Sequence, residues 1–255
     1  TLAEPFCICA ADEVTSTNTV LKEYAATAVT DGRPIPPTVL LARKQTGGRG
    51  RLGRSFHSPN GTGLYMSVLL APTLPPAESL CLTTAAAAAC AESADAIRQS
   101  AGFPTYNKIG IKWVNDLYLA GKKVCGILCE GAGRLPDGRH AIVVGIGVNW
   151  HPAAFPEELS SIAGSVGEEK IGREELLCAI WQELSALLLR GGGDWLAEYR
   201  AHSLVLGQRI RWREGELWQE GVALSIGEDG ALHVRRTDGR ELDLRTGEIT
   251  LRVAE

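Results

Sequence analysis

The sequence predicts an α+β fold, in which helices cover a mixed, mostly antiparallel sheet and a small β-barrel follows. Three observations support this. Apolar runs of strand length, bounded by turn residues, recur between residues 38 and 148. Long helix-forming segments stand among and after them, at Ser79 to Ser100 and Glu174 to Leu189. From about Leu204 the pattern changes to short strands punctuated by Gly-centred turns. The 255 residues, 45% of them hydrophobic, suffice to bury a sizeable core.

Ser16-Thr17-Asn18 precedes the helix-forming run Thr19 to Ala26, so cap-type side chains and orphan N–H groups meet there, serving either as an ordinary cap or as ligand donors. Thr38 to Ala42 and Leu64 to Leu70 are strands flanking a Gly/Arg loop. Ser79 to Ser100 is an alanine-rich helix with a packing role. Ile109 to Trp113, Val124 to Glu130 and Ala141 to Val148 are strand runs, with turns at Ala120-Gly121-Lys122 and at residues 135–138. In Glu174 to Leu189, leucines, Ile180 and Trp181 recur at i, i+3, i+4 spacing, and Gly191 to Gly193 end the helix. Asp194 then caps a short helix through Tyr199. Gln208 to Trp212, Leu217 to Ile226, Leu232 to Arg236, Glu241 to Leu244 and Ile249 to Val253 complete the barrel. The expected domains are 1–203 and 204–255.

A formal net charge of -4 argues against nucleic-acid binding through bulk charge. The chain has no run of about eighteen apolar residues and no basic-then-apolar N-terminus, so neither a membrane span nor a signal peptide is expected. The seven cysteines, scattered without any C-x-x-C, fit buried thiols in a reducing cytoplasm. Cys125 and Cys129 share a strand face without a nearby partner pair, which favours a core role over a metal site.

The densest chemical signal is Gln45-Thr46-Gly47-Gly48-Arg49-Gly50-Arg51-Leu52-Gly53-Arg54. Its glycines let the backbone wrap closely, and its three arginines offer forks suited to phosphate or carboxylate. It matches G-x-G-x-x-G, but a strand and not a helix follows it, which excludes a dinucleotide loop. The chain has no kinase His-Arg-Asp or Asp-Phe-Gly segment and no complete P-loop. A second constellation, Lys112-Trp113-Val114-Asn115-Asp116-Leu117, ends a buried strand, and Lys123 follows at the start of the next. Taken alone, Asn115-Asp116 reads as a turn and Lys123 as a solvated lysine, although a hairpin could bring both ammonium groups to one end of the sheet. No Ser-His-Asp or Cys-His set is evident, and the histidines, His57 and His151 among them, read as bystanders.

Ser16-Thr17-Asn18, Gln45 with Gly48-Arg49-Gly50-Arg51, Lys112-Trp113-x-Asn115-Asp116-Leu117, Lys123-x-x-Gly126-Ile127-Leu128 and Gly145-x-Gly147-x-Asn149 stand in the order and spacing of the biotin protein ligases. The ending Gly247-Glu248-Ile249-Thr250-Leu251-Arg252 is similar too, so the chain resembles that family from about residue 12 to residue 252. The resemblance implies a class II synthetase-like catalytic domain of the biotin/lipoate ligase kind with an SH3-like C-terminal barrel. It implies a ligase that joins biotin and ATP, with Mg²⁺, into biotinyl-5′-AMP, and then hands biotin to a lysine of a biotin carboxyl carrier protein.

Carried over by motif, Ser16, Thr17, Asn18 and Gln45 would bind the biotin head, and Arg49, Gly50, Arg51 and Lys123 its carboxylate and the adenylate phosphate, with Lys112 a further catalytic cation. Gly126 would keep the strand close to biotin. Arg51, Arg54, Phe56, Lys112, Asn115, Asn149 and Arg252 would serve the nucleotide, with Phe56 stacking on adenine, while Asp116 would help hold Mg²⁺ through phosphates or water. Val114, Leu52 and Phe56 depart from residues usual in the family (Pro, a basic residue and Trp), which puts nucleotide affinity in question. With motifs beginning at Ser16, a monofunctional enzyme without the N-terminal DNA-binding domain is expected: cytoplasmic, with no DNA and no membrane partner. Family members differ in dimerisation, and an exposed sheet edge would serve for a homodimer. A lipoate-protein ligase-like acyltransferase and a non-catalytic biotin or adenylate binder are the alternatives. Biotin's ureido ring demands polar partners that an acyl chain does not.

Overall fold

The computed structural model describes residues 7–72, 79–135, 137–151, 155–167, 171–189, 194–247 and 249–251. Its main sheet has seven strands in the order β1-β2-β3-β7-β6-β5-β4. They are β1 (Cys7–Val14), β2 (Thr38–Gln45), β3 (Gly63–Leu70), β4 (Gly110–Lys112), β5 (Asp116–Leu119), β6 (Lys122–Arg134) and β7 (His140–Asn149). Only the edge pair β1 and β2 runs parallel, and every other neighbour is antiparallel. The expected mixed, mostly antiparallel sheet is therefore what forms, with two strands, β1 and β5, that the sequence reading did not assign.

The strands' two-residue period divides the sheet into two faces. Leu40, Leu69, Ala141 and Val143 point to helix α1 (Thr17–Thr30) and pack on its Leu21, Ala25 and Ala28. Their neighbours Val39, Met66, Val68, Ile142, Val144 and Ile146 point the other way, onto the alanines of α2 (Ser79–Ser100). Ala85 to Ala91 are almost wholly buried, and small side chains let this helix lie close to the strands. By length and apolarity α2 could cross a membrane, but 67% of its most apolar window is buried, against the sheet, α4 (Arg173–Leu189) and α5 (Asp194–Ala201). A core helix explains it. The one-turn α3 (Glu157–Ser160) lies in the loop after β7. The glycines expected to end α4, Gly191 to Gly193, lie outside the described residues, as does Pro136 of the expected 135–138 turn.

The C-terminal strands β8 (Arg209–Glu214), β9 (Leu217–Ile226), β10 (Leu232–Arg236), β11 (Glu241–Leu244) and β12 (Ile249–Leu251) form an antiparallel sheet in the order β11-β10-β9-β8-β12. Its inward Ile210, Trp212, Ile226 and Leu232 join the same apolar cluster as α2 and the main sheet. The Trp113 indole N–H donates to the Gly230 carbonyl at 3.0 Å, so the segment before β5 is bonded directly to this sheet. That attachment brings the small barrel beside the end of the main sheet where the conspicuous motifs lie.

Candidate functional site

The site opens where α1 runs out. The helix covers one sheet face as far as Ser16, and beyond it the same face continues with Gly145 and Gly147 of β7 opposite Leu128 and Gly126 of β6. A Cβ on Gly145 would fall 2.1 Å from Asn18 Oδ1, and one on Gly147 would fall 2.6 Å from a Phe56 ring carbon. Only glycine lets the helix end and the loop approach so closely. The cleft above this floor is walled by Ser16 to Asn18, the Gly/Arg loop, parts of Lys112 to Asp116, Lys123 and, from the barrel, Ile249.

One end is lined mainly by a network of neutral polar groups, with an ion cluster at Glu130 beside it. Gln45 Oε1 accepts the Thr17 N–H at 2.9 Å and lies 3.1 Å from the Thr17 hydroxyl, while Gln45 Nε2 donates to Ser58 at 3.0 Å. Ser67 Oγ lies 2.6 Å from Asn18 Oδ1 and 2.7 Å from Thr17 Oγ1. An amide oxygen carries no proton, so Ser67 donates to Asn18 and accepts from Thr17. Asn18 Nδ2 donates to the Leu128 carbonyl at 3.1 Å. Ser16 occupies the N-cap position in extended conformation and makes no side-chain cap bond, so its hydroxyl is not committed to the helix. Thr17 and Asn18, expected before the helix, are in its first turn.

The other end is ionic. Lys123 Nζ pairs with Asp116 at 2.6 Å, and Asp116 stands opposite Gly126 in the sheet. Arg51 donates to Asn115 Oδ1 and to the Gly247 carbonyl, both at 2.9 Å, closing the loop onto the sheet and the barrel together. Asn115 is buried and fixed by donating its amide to the Ile127 carbonyl at 2.8 Å, while its own carbonyl takes the Ile127 N–H. Lys112, opposite Asp116, holds its ammonium 6.0 Å from the Tyr118 ring. Arg54 also lines the cleft. Beneath this end the buried Tyr199 hydroxyl donates to the Val114 carbonyl at 3.2 Å. Burial holds that phenol well above its ordinary pKa; the Asp116 charge pushes the same way and Arg51 opposes it.

Arg49 does not join these cations. Its guanidinium pairs with Glu130 at 3.0 Å, at the neutral end. Glu130 lies four residues along β6 from Gly126, roughly 13 Å at strand rise. The same carboxylate takes Lys22 at 2.9 Å and Asn18 Nδ2 at 3.0 Å. Burial raises its pKa, but the Asn18 and Lys22 hydrogen bonds and the Lys22 and Arg49 charges outweigh this and hold it below the ordinary carboxylate value.

Phe56 lies over Gly126 and Gly147 and meets Tyr65 edge-on at 6.5 Å between centroids. Asn149 is not among the residues lining the cleft; its amide donates to the Gly164 carbonyl at 3.0 Å and approaches that of Lys123. His57 and His151 stand beside Phe155 and Trp150, also off the lining. Arg252 lies outside the described residues. No group of three metal-ligating side chains occurs among the described residues, Cys125 and Cys129 included. Glu130, Ser58 and Ser67 were missed from the sequence. The available signals were a hydroxyl within the buried strand Tyr65 to Leu70, and a carboxylate continuing the Gly126, Leu128 face.

Comparison with known proteins identifies the family. A sequence model of the biotin/lipoate A/B protein ligase family matches residues 11–149. A Bacillus subtilis protein named bifunctional ligase/repressor BirA is 33% identical over 236 residues, covering 89% of this chain and 69% of its own. The biotin--[acetyl-CoA-carboxylase] ligase of Paracoccus denitrificans is 33% identical over 218 residues, covering 80% and 86%. Among solved structures, the biotin protein ligase from Aquifex aeolicus in complex with biotin and ATP superposes with a TM-score of 0.75 at 28% identity, covering 97% of this chain and 99% of that one.

Proposed function

The chain belongs to the biotin/lipoate A/B protein ligase family, and from that membership we propose that it is a biotin protein ligase whose two cleft ends divide the substrate between them. The enzyme uses ATP to activate biotin as biotinyl-5′-AMP and passes the biotinyl group to a lysine of a carboxyl carrier protein. The observation that carries the residue assignment is the separation of a neutral hydrogen-bonding end from an ionic end along β6. Biotin has that polarity: a ureido ring at one end, an apolar chain, and a carboxylate at the other.

In this reading Ser16, Thr17, Asn18 and Gln45 meet the ureido group. Their mutual bonds fix which atoms donate and which accept before biotin arrives, so little ordering remains to be done on binding. Gly126, Gly145 and Gly147 give the apolar chain a flat floor, and Gly50 brings loop backbone over it. Phe56 rests on that floor, so it turns aside toward the nucleotide, where it stacks on adenine, as biotin enters.

At the ionic end, the biotin carboxylate must approach an α-phosphate already surrounded by negative charge. Lys123, Arg51 and Lys112 offset that repulsion and stabilise the charge that develops in the transition state. Arg54 and Asn115 face the nucleotide, and we assign Asn149 to holding the Lys123 backbone. Asp116 is paired with Lys123 and, among the described residues, is the sole carboxylate lining the cleft, a donor set that fits Mg²⁺ held mostly through substrate phosphates. That ion would neutralise phosphate charge. No enzyme nucleophile is needed, because the adenylate itself is the activated acyl donor.

ATP as substrate and seven free cysteines fit a cytoplasmic setting, although Cys7, Cys9 and Cys178 are exposed and not the buried thiols expected. The test is pyrophosphate release with biotin or lipoate as the variable acid. Biotin-dependent release is expected; release driven by lipoate, or none with either, would overturn the assignment.

A further inference from the structure

Glu130 joins three separate parts of this site. It stands on β6, receives Asn18 Nδ2 at 3.0 Å and Lys22 Nζ at 2.9 Å from α1, and pairs with Arg49 of the Gly/Arg loop at 3.0 Å. Its side chain is only 14% exposed, whereas that of Arg49 is 45% exposed. The carboxylate is therefore the fixed member and the arginine the one brought to it. Asn18 in turn receives the Ser67 hydroxyl at 2.6 Å, so whatever holds Asn18 orients the network facing the biotin head.

We propose that Glu130 is a positioning residue for biotin, tethering the Gly/Arg loop to β6 through Arg49 while it sets the amide of Asn18, and that Arg49 acts by this tether instead of on the reacting carboxylate and phosphate. The pairing supports this division. Arg49's guanidinium is committed at the level of Glu130, roughly 13 Å of strand from the level of Gly126, where Lys123 and Asp116 pair. The loop is thus pinned at two points by different arginines: Arg49 to β6 at the neutral end, and Arg51 to Asn115 and Gly247 at the ionic end. Between them Gly50 is left to face the cleft, and the Gly50 N–H bonded to the Arg54 carbonyl at 2.7 Å keeps that turn shut. A partly buried pair of this kind contributes little to stability by its Coulomb energy alone, but it specifies one loop arrangement out of many.

This rests on the biotin-activating reading, and the experiment separates the two. Glu130→Gln, Arg49→Gln and the double variant are assayed with the wild type for biotinyl-adenylate formation, in single turnovers and as biotin KM. A wild type that makes no adenylate defeats the functional reading itself. With an active wild type, the tether predicts that each single variant raises the biotin KM about tenfold, with far smaller changes in ATP KM and in the rate at saturating biotin. The double variant should be no worse than the weaker single.

Effects that multiply, or a loss of saturating rate confined to Arg49→Gln, would overturn it and return Arg49 to the reacting groups. A second readout needs no activity. In ligand-free protein, trypsin cleavage after Arg51 and Arg54 should be at least severalfold faster in Glu130→Gln than in wild type, and Glu130→Asp should restore part of the protection. Equal cleavage in wild type and Glu130→Gln would overturn the tether as well.

Discussion

Replacing Lys123 by alanine tests the ionic end of the cleft most severely. The ammonium lies 2.6 Å from Asp116 and, by its contact with the Cβ position of Gly126, directly over the floor. One unit charge about 4 Å from a reacting oxyanion is worth about 4 kcal/mol at the effective dielectric of a protein surface. The Lys123 side chain is 34% exposed, and solvent screening brings this to roughly 3 kcal/mol, the size also found for oxyanion donors. The substitution further leaves Asp116 unneutralised beside two incoming anions. Single-turnover adenylation at saturating biotin and ATP should therefore fall by roughly two orders of magnitude, with biotin affinity changed much less. Adding Asp116→Asn should recover part of the loss. A Lys123→Ala rate within about threefold of wild type would refute the electrostatic role.

Three further outcomes are expected. Arg51→Gly removes both bonds closing the loop on Asn115 and Gly247, each worth about 1.5–3 kcal/mol for a charged donor. The adenylate should still form but escape, labelling lysines of added serum albumin far more than wild type; retention of labelled adenylate on dilution as long as in wild type would contradict this. Gly145→Ala drives a methyl into Asn18, an overpacking cost of about 1–3 kcal/mol that should lower Tm by several degrees and raise biotin KM more than ATP KM. An unchanged biotin KM would mean that the floor does not position the biotin head. The depressed pKa of Glu130 makes its ionised contacts a source of stability that is full above the ordinary carboxylate value of 4.5 and fades as pH falls below it. The gap in urea midpoint between wild type and Glu130→Gln should accordingly narrow from pH 6 to pH 3.5, and a constant gap would show that the charge is irrelevant.

Much of the architecture was legible because each long element carried an undiluted pattern. The alanine run of α2 and the apolar runs of β3 and β7 lie where periodicity placed them. Strand β1 escaped because it is an edge strand whose side chains are largely exposed, so burial imposes no alternation on Cys7 to Val14. Strand β5 escaped because Asn115-Asp116 has the chemistry of a turn, and pairing with β4 and β6 is what extends Asp116 to Leu119. At the site, the motifs identified which residues converge but not how they sort along the cleft. Three arginines adjacent in sequence read as one anion cradle, whereas Arg49 and Arg51 point to opposite ends. That choice was made by Glu130, 81 positions from Arg49, and by Asn115, 64 positions from Arg51, far beyond any local signal.

The most direct test of the account follows both halves of the reaction in one preparation. Enzyme incubated with biotin, ATP and Mg²⁺ is freed of small molecules and mixed with a biotin carboxyl carrier domain, or with the same domain lacking its acceptor lysine, and the products are read by mass spectrometry. Enzyme-bound biotinyl-5′-AMP is expected before mixing, then one biotinyl group on the intact carrier domain, AMP released, and no modification of the lysine-less domain. A carrier that stays unmodified while the adenylate remains bound, or modification that proceeds without any adenylate, would contradict it.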